Sequence, residues 1–429
     1  MVRAPSLLGA DWVHERVEAL QANEAEAVLI DFFTFGCINC INNLQTLNRL
    51  HKRYSGAVEV VGIHYGKFTY EKETGALKQA IERLGINYPV ANDVYGTLME
   101  QFAVKAWPTV VLVNKRGYIE AEFRGEGQGV AIELALQQLG LKPVAPKEDP
   151  GLLHPSSLSF PEGAVVFDKR VFVANSGGGD VREYTLEGRL LRTFARFARP
   201  SSLACIDEEL YIADREAGTV CRIGLQDEVR TILLEKLRAP SALLIDEQTI
   251  TVAEAGAHRI TVYDRHSLQL LETFGNRFEA LRDGEGESAQ LAQPMGLARC
   301  DDGTVWFVDA ESSALRFIEG KEVVTVFGEG LFTFGDSNEK PVLLQHPQGV
   351  ACGLVGDGCG GGRLFVCDTY NGKVKVYDPL GGRIQTLVEG LHEPTGISKR
   401  GCHLYIAETG AHRIVKFDLS TMRLEVFAL

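Results

Sequence analysis

Hydrophobic residues follow one pattern in the first third of the chain and another pattern in the rest. In the first third, largely apolar runs at 28–33 and 109–113 alternate with stretches in which apolar residues recur every third position, as Ile38, Ile41 and Leu44 do. Short apolar runs are typical of buried strands, and the longer period is typical of a helix with one apolar face. The first third is therefore predicted to be an α/β domain.

The pattern changes at a segment that contains three prolines and several charges but no apolar period. Such a composition predicts an extended linker, which we assign to residues 142–152. After it, the helical period disappears and short β-type runs alternate with turns rich in Gly, Asp and Glu. We therefore expect an α/β domain over 1–141 and an all-β domain over 153–429.

The all-β part contains six repeats at separations between 40 and 54 residues. Each repeat begins with a proline that precedes an aliphatic residue by two or three positions, and an apolar strand that ends in a polar residue follows. A period of this length with several short strands is the signature of a propeller blade, a four-stranded sheet that buries its faces against its neighbours. We predict a six-bladed β-propeller whose blades begin at Pro155, Pro200, Pro240, Pro294, Pro347 and Pro394.

Polar residues recur at equivalent positions of these repeats. A ring of acids could bind a ligand or a metal, but one hydrogen-bonding residue per blade is also what a repeated turn requires, and we favour this structural interpretation. His258 and His412 are equivalent in the same way, which indicates a role in the blade and not in catalysis. The acids at the ends of the second strands are Asp214, Glu254, Asp309, Asp368 and Glu408. A further acidic segment, 283–287, is predicted to be an inter-blade loop and not a calcium site.

Two cysteines follow the run 28–33 as Cys37-Ile38-Asn39-Cys40, where the predicted strand turns into a predicted helix. This spacing is that of a dithiol that can close a disulfide on itself. The first cysteine of such a pair lies near a helix N-terminus, whose unpaired N–H groups and dipole favour the thiolate. Cys37 is therefore the expected nucleophile, and Cys40, which can attack a mixed disulfide on Cys37, is the expected resolving thiol.

Two other positions support thiol chemistry. Asp31 lies between apolar residues in the predicted strand, so burial should raise the pKa of its carboxyl and suit it to exchange a proton with Cys40. Pro108 stands at the start of a second apolar strand, and a cis Trp107–Pro108 peptide bond would explain this placement. We expect Trp107, Pro108 and Thr109 to shape the groove that receives a substrate.

Composition restricts the classes of partner. The chain has 429 residues, of which 45% are hydrophobic and 24% charged, as in a globular protein of two or three domains. No apolar stretch is long enough for a signal peptide or a membrane span, so we expect neither a leader nor a membrane partner. The net charge of −13 disfavours nucleic acid as a partner.

The nine cysteines are odd in number and scattered, unlike the dense and even spacing of a secreted disulfide scaffold. This distribution favours the reducing cytoplasm as the location. The separations between Cys352, Cys359 and Cys367 do not match a zinc site, so we expect no metal. An exposed thiol at Cys359, in a glycine-rich loop, that exchanges with Cys37 is one further hypothesis.

Several of these segments match known families. The first domain resembles the thioredoxin-like fold, and more narrowly its TlpA-like redoxin branch, in Asp31-Phe32-Phe33, Cys37-Ile38-Asn39-Cys40, Trp107-Pro108-Thr109 and Arg124-Gly125-Glu126-Gly127. The all-β repeats resemble NHL repeats in the Pro-x-Gly-aliphatic starts of the last three, where the first three have Ser or Ala in place of Gly, and in the His-Arg-Ile third strands at 258–260 and 412–414. Together the two domains resemble the NHL repeat-containing protein 2 family. This resemblance implies a redox-type domain joined to a binding platform, without indicating a substrate.

We therefore expect a thiol-disulfide oxidoreductase that needs no organic cofactor, because electrons pass through the dithiol itself. Its redox partner would be a protein thiol or disulfide, and the propeller would recruit a protein partner on one face. The alternative is a non-catalytic interaction scaffold in which the thioredoxin-like domain is a rigid adaptor for the propeller. A third hypothesis is a redoxin in which Cys37 reacts directly with peroxide.

Overall fold

The computed structural model describes residues 2–14, 25–143, 158–356 and 359–429. The chain divides into two compact units, Met1–Leu152 and Leu153–Leu429. Most of the predicted linker 142–152 lies outside the described residues, as does Pro155, so the exact boundaries stay a prediction.

The described part of the first unit is a seven-stranded sheet with four α-helices. All seven residues of its central strand are buried, as the apolar run predicts. The strands are β1 (Val2–Arg3), β2 (Trp12–His14), β3 (Ala27–Phe33), β4 (Val58–His64), β5 (Val90–Asn92), β6 (Thr109–Asn114) and β7 (Tyr118–Arg124). The helices are α1 (Ile38–Arg53), α2 (Thr74–Arg83), α3 (Thr97–Gln101) and α4 (Gly129–Gln138).

The strand order β1-β7-β6-β3-β4-β5-β2 places β3 in the middle of the sheet. Strand β4 is parallel to β3 and pairs His64 with Phe33, whereas β6 is antiparallel and pairs Thr109 with Phe32. Consequently the end of β3, the end of β4 and the start of β6 lie at the same edge of the sheet. The loop from β3 to α1 leaves from this edge, which is where the candidate site is built.

The second unit is a six-bladed β-propeller, as predicted. Consecutive strands pair within each blade, so every blade is one continuous segment and the ring closes without exchange of a strand. The first three blades are β8 (Pro161–Phe167), β9 (Arg170–Asn175), β10 (Asp180–Thr185), β11 (Leu190–Ala195); β12 (Pro200–Ile206), β13 (Glu209–Asp214), β14 (Thr219–Gly224), β15 (Arg230–Leu234); and β16 (Pro240–Ile245), β17 (Thr249–Glu254), β18 (Arg259–Asp264), β19 (Leu270–Phe274).

The remaining blades follow the same plan. In the fourth, the short strand β20 (Gly284–Glu285) adds a fifth strand at the outer edge by pairing with the last strand of the blade. The other strands are β21 (Pro294–Arg299), β22 (Val305–Asp309), β23 (Ala314–Glu319), β24 (Glu322–Phe327); β25 (Gly349–Cys352), β26 (Leu364–Asp368), β27 (Lys373–Asp378), β28 (Arg383–Val388); and β29 (Pro394–Arg400), β30 (His403–Glu408), β31 (Arg413–Asp418), β32 (Arg423–Ala428).

The first blade begins later than predicted. Pro161 pairs with Asn175 in the register by which the first proline of other blades pairs with the end of the second strand. The first repeat therefore starts at Pro161 and not at Pro155. A Cβ added at Gly163 would lie 3.1 Å from the carbonyl oxygen of Ser201 in the next blade, so the close approach of neighbouring first strands favours the glycine that follows Pro161.

The polar residue at the end of each second strand has the structural role that we favoured. Asp214 accepts the backbone N–H of Ala198 at 2.8 Å, and Glu254 accepts that of Arg238 at 2.9 Å. In every blade the donor lies two residues before the first proline. The polar side chain therefore fixes the segment that leads into the first strand of its blade. The other pairs are Asn175 with Ser159, Asp309 with Ala292, Asp368 with Gln345 and Glu408 with His392.

The ring closes at a seam between the last blade and the first. Thr409 Oγ1 donates a hydrogen bond to the carbonyl of Pro161 at 2.6 Å, and His412 Nδ1 accepts the backbone N–H of Phe160 at 3.2 Å. His258 makes the contact equivalent to that of His412 between the third and fourth blades. Both histidines therefore serve the blades, as predicted.

Two disulfides join three successive blades near the turns that connect the first and second strands of each blade. Cys300–Cys352 connects the fourth blade to the fifth, and Cys359–Cys402 connects the fifth to the sixth. The hypothesis of a free, reactive Cys359 is wrong. The paired cysteines are 52 and 43 residues apart, about one repeat, so equivalent turns of neighbouring blades bring together residues that look scattered in the sequence.

A buried ion pair lies inside the fourth blade. The side chains of Arg316 and Asp309 are 0% exposed, and Nη1 lies 2.9 Å from Oδ2. Nη1 also donates to the carbonyl of Gln290 at 2.8 Å, and Nη2 lies 3.2 Å from Asp283 Oδ1. The acidic segment 283–287, predicted to be an inter-blade loop, instead contains β20 (Gly284–Glu285), and Arg316 fastens its first residue, Asp283, to the blade.

Replacement of Arg316 by Met is expected to lower the free energy of unfolding by about 3 kcal/mol, because it leaves the Asp309 carboxylate buried without its cation. Urea denaturation of the full chain measures this loss. Lys416→Met is the control, since Lys416 pairs with Glu425, whose side chain is 65% exposed, and such a pair contributes about 1 kcal/mol or less. Equal losses in the two variants would contradict the prediction.

Within the described ranges, the longest helix is α1, with 16 residues, and no helix there combines the length and the hydropathy needed to cross a bilayer. The same ranges contain no group of three or more His, Cys, Asp and Glu side chains placed to hold a metal ion.

Candidate active site

Cys37 and Cys40 lie at the N-terminal end of α1, directly after the loop that follows β3. Cys37 is the N-cap residue, and its carbonyl accepts the backbone N–H of Ile41 at 3.0 Å. Both thiols are reduced. Cys37 is 8% exposed and Cys40 1% exposed, so the cysteine expected to be the nucleophile is the more accessible of the two.

Cys40 is held as a neutral thiol. Burial raises the pKa of Cys40 well above its usual range, and the neighbouring Cys37 and Asp31 raise it further. A hydrogen bond from the backbone of Thr34 acts in the opposite direction. A thiol in this state is a poor nucleophile until a base removes its proton.

Asp31 has the burial and the raised pKa expected of such a base. It is fully buried in β3, and burial raises the pKa of its carboxyl from 3.8 to about 7, against the smaller opposing effect of a hydrogen bond that Tyr88 donates to Oδ2 at 3.4 Å. Its other oxygen, Oδ1, has no hydrogen-bond partner among the described residues. A carboxyl that titrates near neutral pH beside a thiol is suited to take up and return that thiol's proton.

The predicted cis peptide bond between Trp107 and Pro108 is present. Thr109 is buried at the start of β6, where its Oγ1 donates to the carbonyl of Ala106 at 2.8 Å. The ring of Trp107 stacks on that of Tyr65, with centroids 5.7 Å apart. Since β6 starts beside the end of β3, these residues lie at the sheet edge from which the dithiol loop leaves. Their role in a substrate groove stays a prediction.

Three polar residues around the thiols were missed in the sequence. Tyr88 reaches Asp31, Thr34 contacts Cys40 through its backbone, and Glu71 accepts a hydrogen bond from the Thr34 hydroxyl. Thr34 directly follows the apolar run 28–33, and this position between a buried strand and the dithiol is a sequence signal that could have identified it. Glu71 lies in a polar segment between β4 and α2, and nothing in that segment indicates that its side chain is buried.

The propeller contains a channel of about 330 Å³ lined by the first strand of every blade. Glu162 lies in its wall and pairs with Arg199 at 2.8 Å and with Arg215 at 2.9 Å. The acids at the strand ends bind backbone N–H groups instead of facing one another around the channel. The ring of acidic ligands considered above is therefore not formed.

Comparison with known proteins identifies the first unit. A family model described as thioredoxin-like matches residues 25–119. The N-terminal unit is a thioredoxin-like domain. The matched range contains Asp31, Cys37, Cys40 and Pro108, so the candidate site lies entirely within this thioredoxin-like domain.

Curated relatives match both parts of the chain. The protein SUPPRESSOR OF QUENCHING 1, chloroplastic, of Arabidopsis thaliana is 28% identical over 92% of this chain and 44% of its own length. NHL repeat-containing protein 2 of Gallus gallus is 27% identical over 94% of this chain and 68% of its own length. The protein DipZ of Mycobacterium tuberculosis is 29% identical over 37% of this chain and 24% of its own length. The chain thus spans less than half of the Arabidopsis protein, and its thioredoxin-like domain and NHL-type propeller together match the first two relatives.

Proposed function

We propose that this chain is a thiol-disulfide oxidoreductase that works through Cys37 and Cys40. The observation that carries the proposal is the buried Asp31 carboxyl, with a pKa near 7, beside a buried and protonated Cys40. Two cysteines that served only for packing would gain nothing from an ionisable acid in an apolar strand, because burial of the acid costs stability.

The reaction follows from the placement of these groups. Cys37, as the thiolate, attacks one sulfur of a substrate disulfide, so that a Cys37–substrate bond forms and the second substrate sulfur leaves as a thiolate. Asp31 then takes the proton of Cys40, whose sulfur attacks Cys37 and releases the first substrate sulfur. Two electrons have then passed to the substrate, and Cys37 and Cys40 form a disulfide. No organic cofactor takes part in this sequence.

The propeller would recruit a protein partner, either the redox substrate or a protein that delivers it. Similarity to the Arabidopsis and chicken relatives over both parts of the chain supports a joint role for the two. The net charge of −13 favours a protein partner over a polyanion such as nucleic acid.

The compartment belongs to the proposal as well. The prediction of a cytoplasmic location depended on the scattered cysteines and on the lack of a signal-like apolar stretch, but four of the cysteines form the two propeller disulfides. Disulfides persist in oxidising compartments and are rare in a reducing cytoplasm. We therefore favour a compartment in which protein disulfides persist over the cytoplasm that the sequence suggested.

Thiol trapping of the full chain in glutathione buffers of defined potential tests the function. We expect a reversible two-electron transition, read as the fraction of Cys37–Cys40 disulfide by mass spectrometry of the N-terminal peptides. The transition should be absent in Cys37→Ser. Absence of the transition in the unaltered chain would refute the proposal and favour the alternative, a non-catalytic scaffold in which the thioredoxin-like domain is an adaptor. Rapid oxidation of Cys37 by peroxide alone would favour the peroxide-reducing hypothesis.

A further inference from the structure

A cluster of buried polar side chains lies directly behind the loop that carries Cys37. Thr34, His64, Glu71 and Asn92 come from the end of β3, the end of β4, the segment before α2 and the end of β5, and all four are between 0% and 4% exposed. Burial of polar groups costs free energy unless they are hydrogen-bonded, so such a cluster requires an explanation.

Glu71 binds the loop through one oxygen. Its Oε2 accepts the Thr34 hydroxyl at 2.6 Å and the backbone N–H groups of Lys67 at 2.7 Å and Phe68 at 3.2 Å. The carboxyl group therefore ties the segment before α2 to the residue that follows β3.

Thr34 connects this cluster to both cysteines. Its carbonyl accepts the backbone N–H of Cys37 at 3.3 Å, and its own backbone hydrogen-bonds to Cys40. The side chain of one residue is thus bound to Glu71, while its main chain contacts each member of the dithiol.

His64 supports the same loop from the other side. Its Nε2 lies 3.5 Å from Thr34 Oγ1, and its Nδ1 lies 3.2 Å from Asn92 Oδ1. The imidazole also stacks on Phe35, with centroids 5.2 Å apart and planes within 13°. Thr34 and Phe35, the two residues that begin the dithiol loop, are therefore both held by buried groups.

We propose that Glu71 and Thr34 are positioning residues of the dithiol: the carboxyl group of Glu71 fixes Thr34 so that its main chain holds the reduced sulfur of Cys40 in place. Loss of this arrangement weakens the hydrogen bond to Cys40 and the contact between Cys40 and Cys37. The reduced dithiol is then less stable relative to its disulfide. The biological meaning of this role rests on the proposed function, but the reactivity of the thiols can be measured without it.

Thr34→Val removes the hydroxyl and keeps the shape of the side chain, whereas Thr34→Ser keeps the hydroxyl. In the full chain, we expect Thr34→Val to shift the equilibrium with glutathione by about tenfold toward the Cys37–Cys40 disulfide and to slow alkylation of Cys37 by iodoacetamide by a similar factor, since the Cys40 thiol that contacts Cys37 is then held less firmly by the main chain of Thr34. Thr34→Ser should stay within about twofold of the unaltered chain. Glu71→Leu is the second variant, because it removes the oxygen that accepts the Thr34 hydroxyl, and it should shift both quantities in the same direction as Thr34→Val.

Tyr54→Phe provides a matched control, since it removes a buried hydroxyl that donates to Glu133 at 3.3 Å at the far end of α1. It should leave both measurements unchanged. If Thr34→Val and Glu71→Leu behave like Tyr54→Phe, the cluster serves only stability and the inference is overturned, while the proposed function stands. If the unaltered chain lacks the redox transition, the proposed function fails, and the alkylation rates still decide between positioning and a purely structural role.

Discussion

Cys37→Ser is expected to lower the rate of disulfide reduction by about a thousandfold or more, because the thiolate is the nucleophile and a serine hydroxyl stays protonated at neutral pH. Reduction of insulin disulfides in the presence of dithiothreitol, corrected for the rate without protein, measures the effect. Cys205→Ser is the matched control, since Cys205 is a free, half-buried thiol in the propeller. Comparable losses in the two variants would show that the assay reports general thiol content and not the dithiol.

Cys40→Ser should separate the two steps of the same reaction. Without the resolving thiol, Cys37 can still attack a substrate disulfide but cannot be released from it, so a mixed disulfide accumulates. Non-reducing electrophoresis and mass spectrometry would detect it as one substrate thiol bound to Cys37. Full turnover by Cys40→Ser would instead indicate a mechanism that needs only one cysteine.

The second large effect is expected at Asp31, and it depends on pH. The pKa of its carboxyl is raised from 3.8 to about 7 by burial. The folded protein therefore binds more protons than the unfolded chain between these two values, and its stability falls as the pH rises from about 4 to about 7. A shift of this size corresponds to about 4 kcal/mol. Asp31→Asn lacks this cost. The free energy of unfolding of Asp31→Asn, minus that of the unaltered chain, should therefore rise by about 4 kcal/mol as the pH goes from 3 to 8.

Urea denaturation at a series of pH values tests this linkage. Tyr88→Phe sharpens the test, because it removes the hydrogen bond that lowers the pKa of Asp31 in the folded protein and should extend the window of falling stability to higher pH. In the same Asp31→Asn variant, release of the mixed disulfide at neutral pH should slow by about tenfold to a hundredfold, since Cys40 loses its base. A stability difference that is independent of pH would rule out a buried, titrating carboxyl.

The sequence predicts most of the redox site because its signals are local. A pair of cysteines two residues apart, an acid inside an apolar strand and a proline at a strand start can each be recognised within a few residues. The partners of Thr34 lie 30 and 37 residues away, and they meet only because β4 runs parallel beside β3. No local pattern distinguishes Glu71 from a solvated acid, so its burial follows from the tertiary fold alone.

In the propeller, too, the sequence predicts the local repeats but not the contacts between blades. Its period and blade number follow from spacing, since each blade must repeat the same short strands to pack on its neighbours. The predicted start of the first blade was wrong because two prolines, Pro155 and Pro161, stand six residues apart, and only the pairing of Pro161 with Asn175 in the folded sheet decides between them. The disulfides were missed because cysteines about one repeat apart become neighbours only when successive blades pack side by side.

The two disulfides make the halves of the ring respond differently to a nick in the polypeptide. A single cut by a protease between residues 300 and 352, or between 359 and 402, leaves the two pieces covalently attached. A cut within the first three blades leaves a fragment that only non-covalent contacts retain, and this fragment borders the seam held by Thr409 and His412. The last three blades would therefore survive as one linked arc after the first blade has been lost.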